Sequence, residues 1–375
     1  MNNSTVLHNQ NVQWRQVWSL VALDLAIIIS WIAYHKYQPE LLKQFRFDQF
    51  KFQLALLQGL ILFATPPIAG WFADRARRKG GGHLPVVTIG INFVSMIFMV
   101  VAVTIWTNPT GLVRLAFPLM IVLWLVFMNV FHSPAISTLE QFVPTEKLPQ
   151  VMAIFAVITD VAASLEPSII DLISIFGAPV TFAIGGVLVF GSGIWLQRTF
   201  RSFEPGKTEE TQVQNTESTV KKSRFDVVII VGLFLGLATM FFFELFPSMT
   251  ENKLSFLSAN GFKGSYFTSA LIAFSALLSY PLGLWAQRFS VVKAAWFGGI
   301  GFAIALGLIL TNSGIIALVG FGLYPVCFAM MSVTFLPIAF VHLTSKQKVL
   351  GVGLFFSGIQ LASSIVEALQ VGSFL

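Results

Sequence analysis

Asp24, Asp160 and Glu166 each stand inside a long apolar run, and no Lys or Arg lies deep in those runs to neutralise them. A charged side chain at the centre of a membrane helix costs roughly 2.5 to 3.5 kcal/mol on insertion scales, so each acid needs a reason to be there. Desolvation favours the neutral carboxyl, and a group in that position can take up and release H+, or bind Na+, as its surroundings change. Asn129 and His132 offer a second chemistry. Three residues apart, they share a helix face, where an amide and an imidazole can hydrogen-bond a polyol. Gln360 adds another amide, and Trp31, Tyr34 and Tyr37 add rings that can stack on a sugar. Plainer roles stay open: a bond from Asp24 to a neighbouring helix, a carboxyl satisfying backbone freed by a kink at Glu166-Pro167, an interhelical bond for neutral His132, and interfacial anchoring for the rings.

The elements that position these groups follow from composition. With 375 residues, 55% hydrophobic, 11% charged and 38 Phe, the chain has too few charges to cover a soluble surface. Its net charge of +6 gathers in short loops between apolar runs, unlike the basic face of a nucleic-acid binder. The single Cys327 lies in an apolar run and excludes a disulfide framework or cysteine metal cluster. No phosphate-cradling Gly loop, metal-ligand cluster or nucleophile with a base at helical spacing points to an enzyme, and the expected cofactor set is empty apart from H+ or Na+ as a coupling ion. The polar first fifteen residues run straight into a membrane-length segment, without the short apolar core of a cleavable signal.

A span needs about 20 mainly apolar residues. Eleven segments qualify: 16–36, 52–72, 85–106, 112–133, 149–171, 178–197, 226–246, 265–286, 291–311, 314–340 and 349–370. Their continuous apolar runs predict helices, without the alternation of a barrel. If the N-terminus is cytoplasmic, sixteen of the 23 Lys and Arg fall on the inner side, which fixes the orientation by the positive-inside rule. Residues 199–224, with Glu-Pro-Gly and Lys-Lys-Ser-Arg, read as a cytoplasmic linker between a bundle at 1–198 and one at 225–375. The halves echo each other: Asp160-Val-Ala-Ala-Ser-Leu matches Gln360-Leu-Ala-Ser-Ser-Ile at an offset of 200, and Gly70-Trp-Phe-Ala-Asp74-Arg75 matches Gly283-Leu-Trp-Ala-Gln287-Arg288. Parallel repeats of this kind build transporters that rock about a midplane site.

The loop sequence Gly70-Trp-Phe-Ala-Asp74-Arg75-Ala-Arg77-Arg78-Lys79, set between two membrane-length runs, resembles the loop between the second and third helices of the major facilitator superfamily. The resemblance implies a cytoplasmic gate in which the acid and its arginines lock helix ends in one access state. Gly81 seven after Asp74, Pro85 four later, Asn129-Val-Phe-His132-Ser-Pro134-Ala and Val333-Thr-Phe-Leu-Pro337 are similar to glycoside/cation and sucrose/proton symporters. Leu23-Asp24-Leu-Ala-Ile resembles the first helix of that group, which implies that Asp24 binds sugar hydroxyls.

The expectation is an all-α, two-lobed, multi-pass protein of the inner cell membrane, with six plus five helices. It moves a small polar solute, a sugar or glycoside, by H+-coupled symport, with Asp160, Glu166 and Asp24 as proton sites and Asp24, Asn129, His132, Gln360 and Tyr34 as solute contacts. Alternatives are a proton-driven exporter of amphipathic compounds, or a transport-inactive receptor or delivery protein of the same fold. Only residues 371–375 follow the eleventh span. A twelfth helix is therefore expected to be missing and the C-terminus external, with a monomer, or a helper subunit or second copy covering the open flank.

Overall fold

A computed structural model describes residues 11–78, 84–108, 110, 114, 116–201, 222–254 and 263–371. Lys79, residues 202–221 of the expected linker and residues 372–375 lie outside that set. Among the described residues, eleven helices are long and apolar enough to cross a membrane. They are span 1 (Trp14–Gln44), span 2 (Phe52–Arg78), span 3 (Leu84–Thr107), span 4 (Phe117–Phe142), span 5 (Thr145–Ser164), span 6 (Glu166–Arg201), span 7 (Phe225–Lys253), span 8 (Gly264–Phe289), span 9 (Val291–Ile309), span 10 (Gly314–Val341) and span 11 (Ser345–Val366). The protein is an all-helical, multi-pass membrane protein. Helices satisfy their own backbone groups, which hydrocarbon requires.

Three local departures matter for the site. Span 5 ends at Ser164 and not near residue 171, because Pro167 has no amide for the Ala163 carbonyl and its ring crowds that oxygen. Glu166 and Asp171 therefore belong to span 6, and no single helix face runs from Asp160 to Asp171. Span 6 itself breaks at Gly177, whose φ of 75° and ψ of 167° suit glycine, and the break leaves 166–176 as a separate helical segment. Span 7 carries a π-turn at Phe241–Leu245. At its far end span 6 stays helical to Arg201, three residues into the stretch expected to be linker.

Spans 1 and 3 pack on span 6, and spans 2 and 3 on span 4. In the second half spans 8 and 9 pack on span 10, and span 7 on span 11. The contact of span 1 with span 5 is repeated by span 7 with span 11, and that of span 2 with span 4 by span 8 with span 10. The two halves meet where span 2 lies along span 11 and span 5 along span 8, with smaller contacts of span 4 with 11 and span 5 with 10. Aromatic residues fill each interior. In the first half Tyr34 stacks on Trp124 at 4.5 Å and Phe45 on Phe117 at 4.4 Å. In the second, Phe242, Phe246, Phe302 and Phe328 surround Tyr324 or one another. Each half pins a buried phenol on a carbonyl, Tyr37 to Ile173 at 2.6 Å and Tyr324 to Ala238 at 2.8 Å.

Candidate functional site

Where span 2 ends and span 11 begins, Asp74 is buried, 4% exposed. Its Oδ1 accepts the Val349 N–H at 3.3 Å and its Oδ2 the Leu350 N–H at 2.9 Å. The carboxylate thus caps the helix N-terminus of span 11 from another helix, pairing amides that have no partner in their own helix and facing the positive end of its dipole. Hydrogen bonds to a charged group contribute about 1.5 to 3 kcal/mol each. One turn earlier, Gly70 presses against the Val349–Leu350 backbone, where a Cβ would overlap it. Arg77 Nη1 reaches the Ser345 carbonyl at 3.4 Å, and Arg75 lies over the Trp71 ring at 5.3 Å. Arg78 is exposed, and Lys79 lies outside the described residues. An ion pair between Glu140 and Lys348 ties the end of span 4 to the start of span 11 beside this cap. Sequence reasoning missed that pair. Opposite charges at two span ends were the readable signal, but nothing in the sequence joined them.

The other contact between the halves carries Asp160. It is 5% exposed on span 5, and its Oδ2 accepts the Ser275 hydroxyl of span 8 at 3.0 Å. Ser279 Oγ in turn donates to the Ser275 carbonyl at 3.0 Å. Toward the Asp74 face the same two spans close on Gly283, where a Cβ would meet Ala153 and the Pro149 carbonyl. Ser275 was also missed. Its signal is the buried series Thr268, Ser275 and Ser279, hydroxyls recurring on one face of span 8.

A third cluster joins residues chosen separately from the sequence. His132 Nε2 lies 3.4 Å from Asp24 Oδ1, so spans 1 and 4 bring an imidazole and a carboxylate together. The His132 ring also meets Phe356 of span 11 at 4.4 Å. Asn129, one turn away, is buried and its Nδ2 donates to the Leu125 carbonyl of its own helix at 2.8 Å. Gln360 Oε1 accepts from Ser363 Oγ at 3.1 Å. Tyr34 is set deep in the first half, donating to Gln58 Oε1 at 2.9 Å. The cavity beside it, about 20 Å³, has room for a water and not for a sugar ring. Glu166 is half-buried in the first turn of span 6, and Asp171 is exposed on the same segment. Among the described residues no hydrogen bond or ion pair joins Asp160 to Asp24, Glu166 or Gln360.

Chemically, the arrangement can do two things. It holds the Asp160 carboxyl between the halves with a neutral hydroxyl as its partner, and it holds the halves together at one face by a charge-to-dipole cap.

Comparison with known proteins comes from sequence and from structure. A family model described as Major Facilitator Superfamily matches residues 19–366. The human organic anion transporter MFSD10 (TETRAN) aligns with a TM-score of 0.65 and 14% identity, over 96% of this chain and 94% of that one. A bacterial homologue of the iron transporter ferroportin, in an outward-facing state with soaked iron, aligns with a TM-score of 0.66 and 14% identity, over 96% and 92%. These likenesses concern the fold. A search of curated proteins by sequence finds no match.

Proposed function

Matched over residues 19–366, the chain belongs to the major facilitator superfamily of transporters, and we propose that it carries a small polar solute, a sugar or glycoside, in symport with H+ by alternating access. The observation that carries this reading is Asp160, a buried carboxyl at a contact between the halves whose partner is a hydroxyl and not a fixed cation. Such a group can hold a proton in one access state and lose it in the other without leaving a lone cation behind. The Asp24–His132 pair supports a polar solute site, since a carboxylate and an imidazole side by side can accept and donate to hydroxyls. The Asp74 face is cytoplasmic in this reading, on the inner-side excess of Lys and Arg, and the conformation at hand is closed there. The protein sits in the cell membrane, its two bundles at 1–198 and 225–375 rocking about the solute.

Uptake into proteoliposomes tests the proposal, with a panel of sugars and glycosides offered with and without an imposed pH gradient, and with a Na+ gradient as control. Because the fold neighbours are named for an organic anion and for iron, the panel also holds an organic anion and Fe2+. Accumulation of a sugar driven by an inward H+ gradient is expected. Failure to accumulate any sugar, with movement of the anion, iron or an amphipathic compound instead, overturns it.

A further inference from the structure

Away from both contacts between the halves, spans 1, 3 and 6 line an open surface cavity of about 420 Å³, within the size range of small-molecule sites. One wall is a polar stripe of span 1, Lys36, Glu40 and Gln44, spaced by one helical turn. Ile105 of span 3 and Ser174 and Gly177 of span 6 supply the rest of the wall used below. Lys36 Nζ stands 2.8 Å from Glu40 Oε1, and Gln44 Nε2 is tied to Asn108 Oδ1 at 3.3 Å.

Depth and charge say what fits. Lys36 lies 22 residues beyond Trp14, about 33 Å along the helix, just past a hydrocarbon thickness of about 30 Å. The cavity is therefore at head-group level, in the leaflet opposite the Asp74 face. Residues adjoining its lining, Trp106, Ile175 and Phe176, are exposed and apolar, as a surface against acyl chains would be. A bare phosphate there would meet the Glu40 carboxylate, and a bare ammonium the Lys36 ammonium. A zwitterion satisfies both.

We propose that this cavity binds the head group of a zwitterionic phospholipid bearing a primary ammonium, phosphatidylethanolamine in chemical class. Its phosphate accepts from Lys36, and its ammonium donates to Glu40 and the Gln44 amide oxygen. A quaternary choline has no N–H to donate, so it binds less well. Gly177, where span 6 breaks, forms part of the wall. This site is independent of the transported solute.

The test uses the purified full-length protein, delipidated in detergent and offered mixed micelles of phosphatidylethanolamine, phosphatidylcholine or phosphatidylglycerol. Native mass spectrometry should show one phosphatidylethanolamine retained at least about fivefold more tightly than the other two, the scale of one charge interaction at a membrane surface. The double variant Lys36→Gln with Glu40→Gln, and the cavity-filling Ser174→Trp, should each abolish that preference. Equal retention of the three lipids by the unsubstituted protein, or an undiminished preference in either variant, overturns the proposal. A head-group photo-cross-linking phosphatidylethanolamine needs no substitution and should label peptides from 36–44 or 166–180. Labelling confined to other regions overturns it as well.

Discussion

Spans 2 and 11 meet backbone to backbone along their length, whereas spans 5 and 8 meet closely at one end and through a carboxyl further along. On the first contact a Cβ at Gly70 would overlap Val349–Leu350, one at Gly353 would overlap Pro66–Pro67, and Gly59 sits against Ser364. Ser357 Oγ donates to the Phe63 carbonyl, and the Asp74 cap finishes the series. On the second, Gly283 makes the close approach and Asp160–Ser275 the polar one. The difference separates a closely packed seam from one that carries a buried polar pair. The 2/11 contact is held mostly by close backbone packing, with the Asp74 carboxylate capping one end, and the 5/8 contact pairs a buried carboxyl with a neutral hydroxyl.

The sharpest way to break this comparison is Asp160→Asn, a permanent mimic of the protonated acid. Accumulation against a gradient should be lost while equilibrium exchange of solute persists, measured as counterflow in proteoliposomes. If Asp160→Asn still accumulates solute under a pH gradient, the chemical role does not belong to the 5/8 contact. Next in size is Gly353→Val on the 2/11 contact. Bulk against the Pro66–Pro67 backbone should slow uptake by at least about fivefold, since overpacking costs about 1 to 3 kcal/mol. A cysteine placed at Ser345 should then react faster with a membrane-impermeant maleimide added from the Asp74 side, and unchanged reactivity would show that the contact does not close that face.

Asp74→Asn sharpens the comparison further. The amide oxygen still accepts one backbone N–H, but the charge on the helix dipole is gone, worth about 0.3 to 2 kcal/mol. The equilibrium should move toward opening at that face by a few fold up to about thirtyfold, read from distances between spin labels on spans 2 and 11. No change in those distances would mean that the cap does not hold the face shut. Ser275→Ala should cost about 0.5 to 1.5 kcal/mol and keep H+-driven accumulation, because the carboxyl remains. Loss of coupling in that variant would move the chemistry from the acid to the hydrogen bond. The smallest effect is expected for Lys348→Gln, at most about 1 kcal/mol and weaker still in high salt, because partly exposed ion pairs are screened.

Much of the architecture was legible because hydropathy and length are local properties. All eleven spans were readable, the break between the fifth and the sixth being expected at 171–178. Its start was misplaced because a Pro two residues past an apolar Leu165 still reads as a kinked helix, and only the missing amide of Pro167 ends span 5. Glu166 moved to another span for that reason. The site was less legible than the fold. Asp74 stood out through its neighbours in sequence, yet its partners are backbone amides of span 11, which have no sequence identity to read. Asp24 and His132 were each singled out for their own chemistry, and their 3.4 Å meeting depends on how spans 1 and 4 pack. Tyr34 read as a solute contact because its ring lies near a span end, whereas packing on Trp124 turns it inward.

The π-turn at Phe241–Leu245 gives span 7 a screw thread with one surplus notch. A π-turn holds one residue more than an α-turn, so removing one residue there closes it to an α-turn and leaves Phe246–Lys253 near its present phase, whereas adding one would turn that segment by about 100° and push it out by about 1.5 Å. That turn would carry Glu251 away from the Gly264 amide it now accepts at 3.0 Å, uncoupling spans 7 and 8 at their shared end. Faster hydrogen exchange at Gly264 with an alanine inserted after Phe243, and unchanged exchange in a Phe243 deletion, would register the slip; unchanged exchange in both would show that the thread is not engaged. The same five residues thus set the angular phase between the aromatic interior of the second half and the helix that presents Ser275.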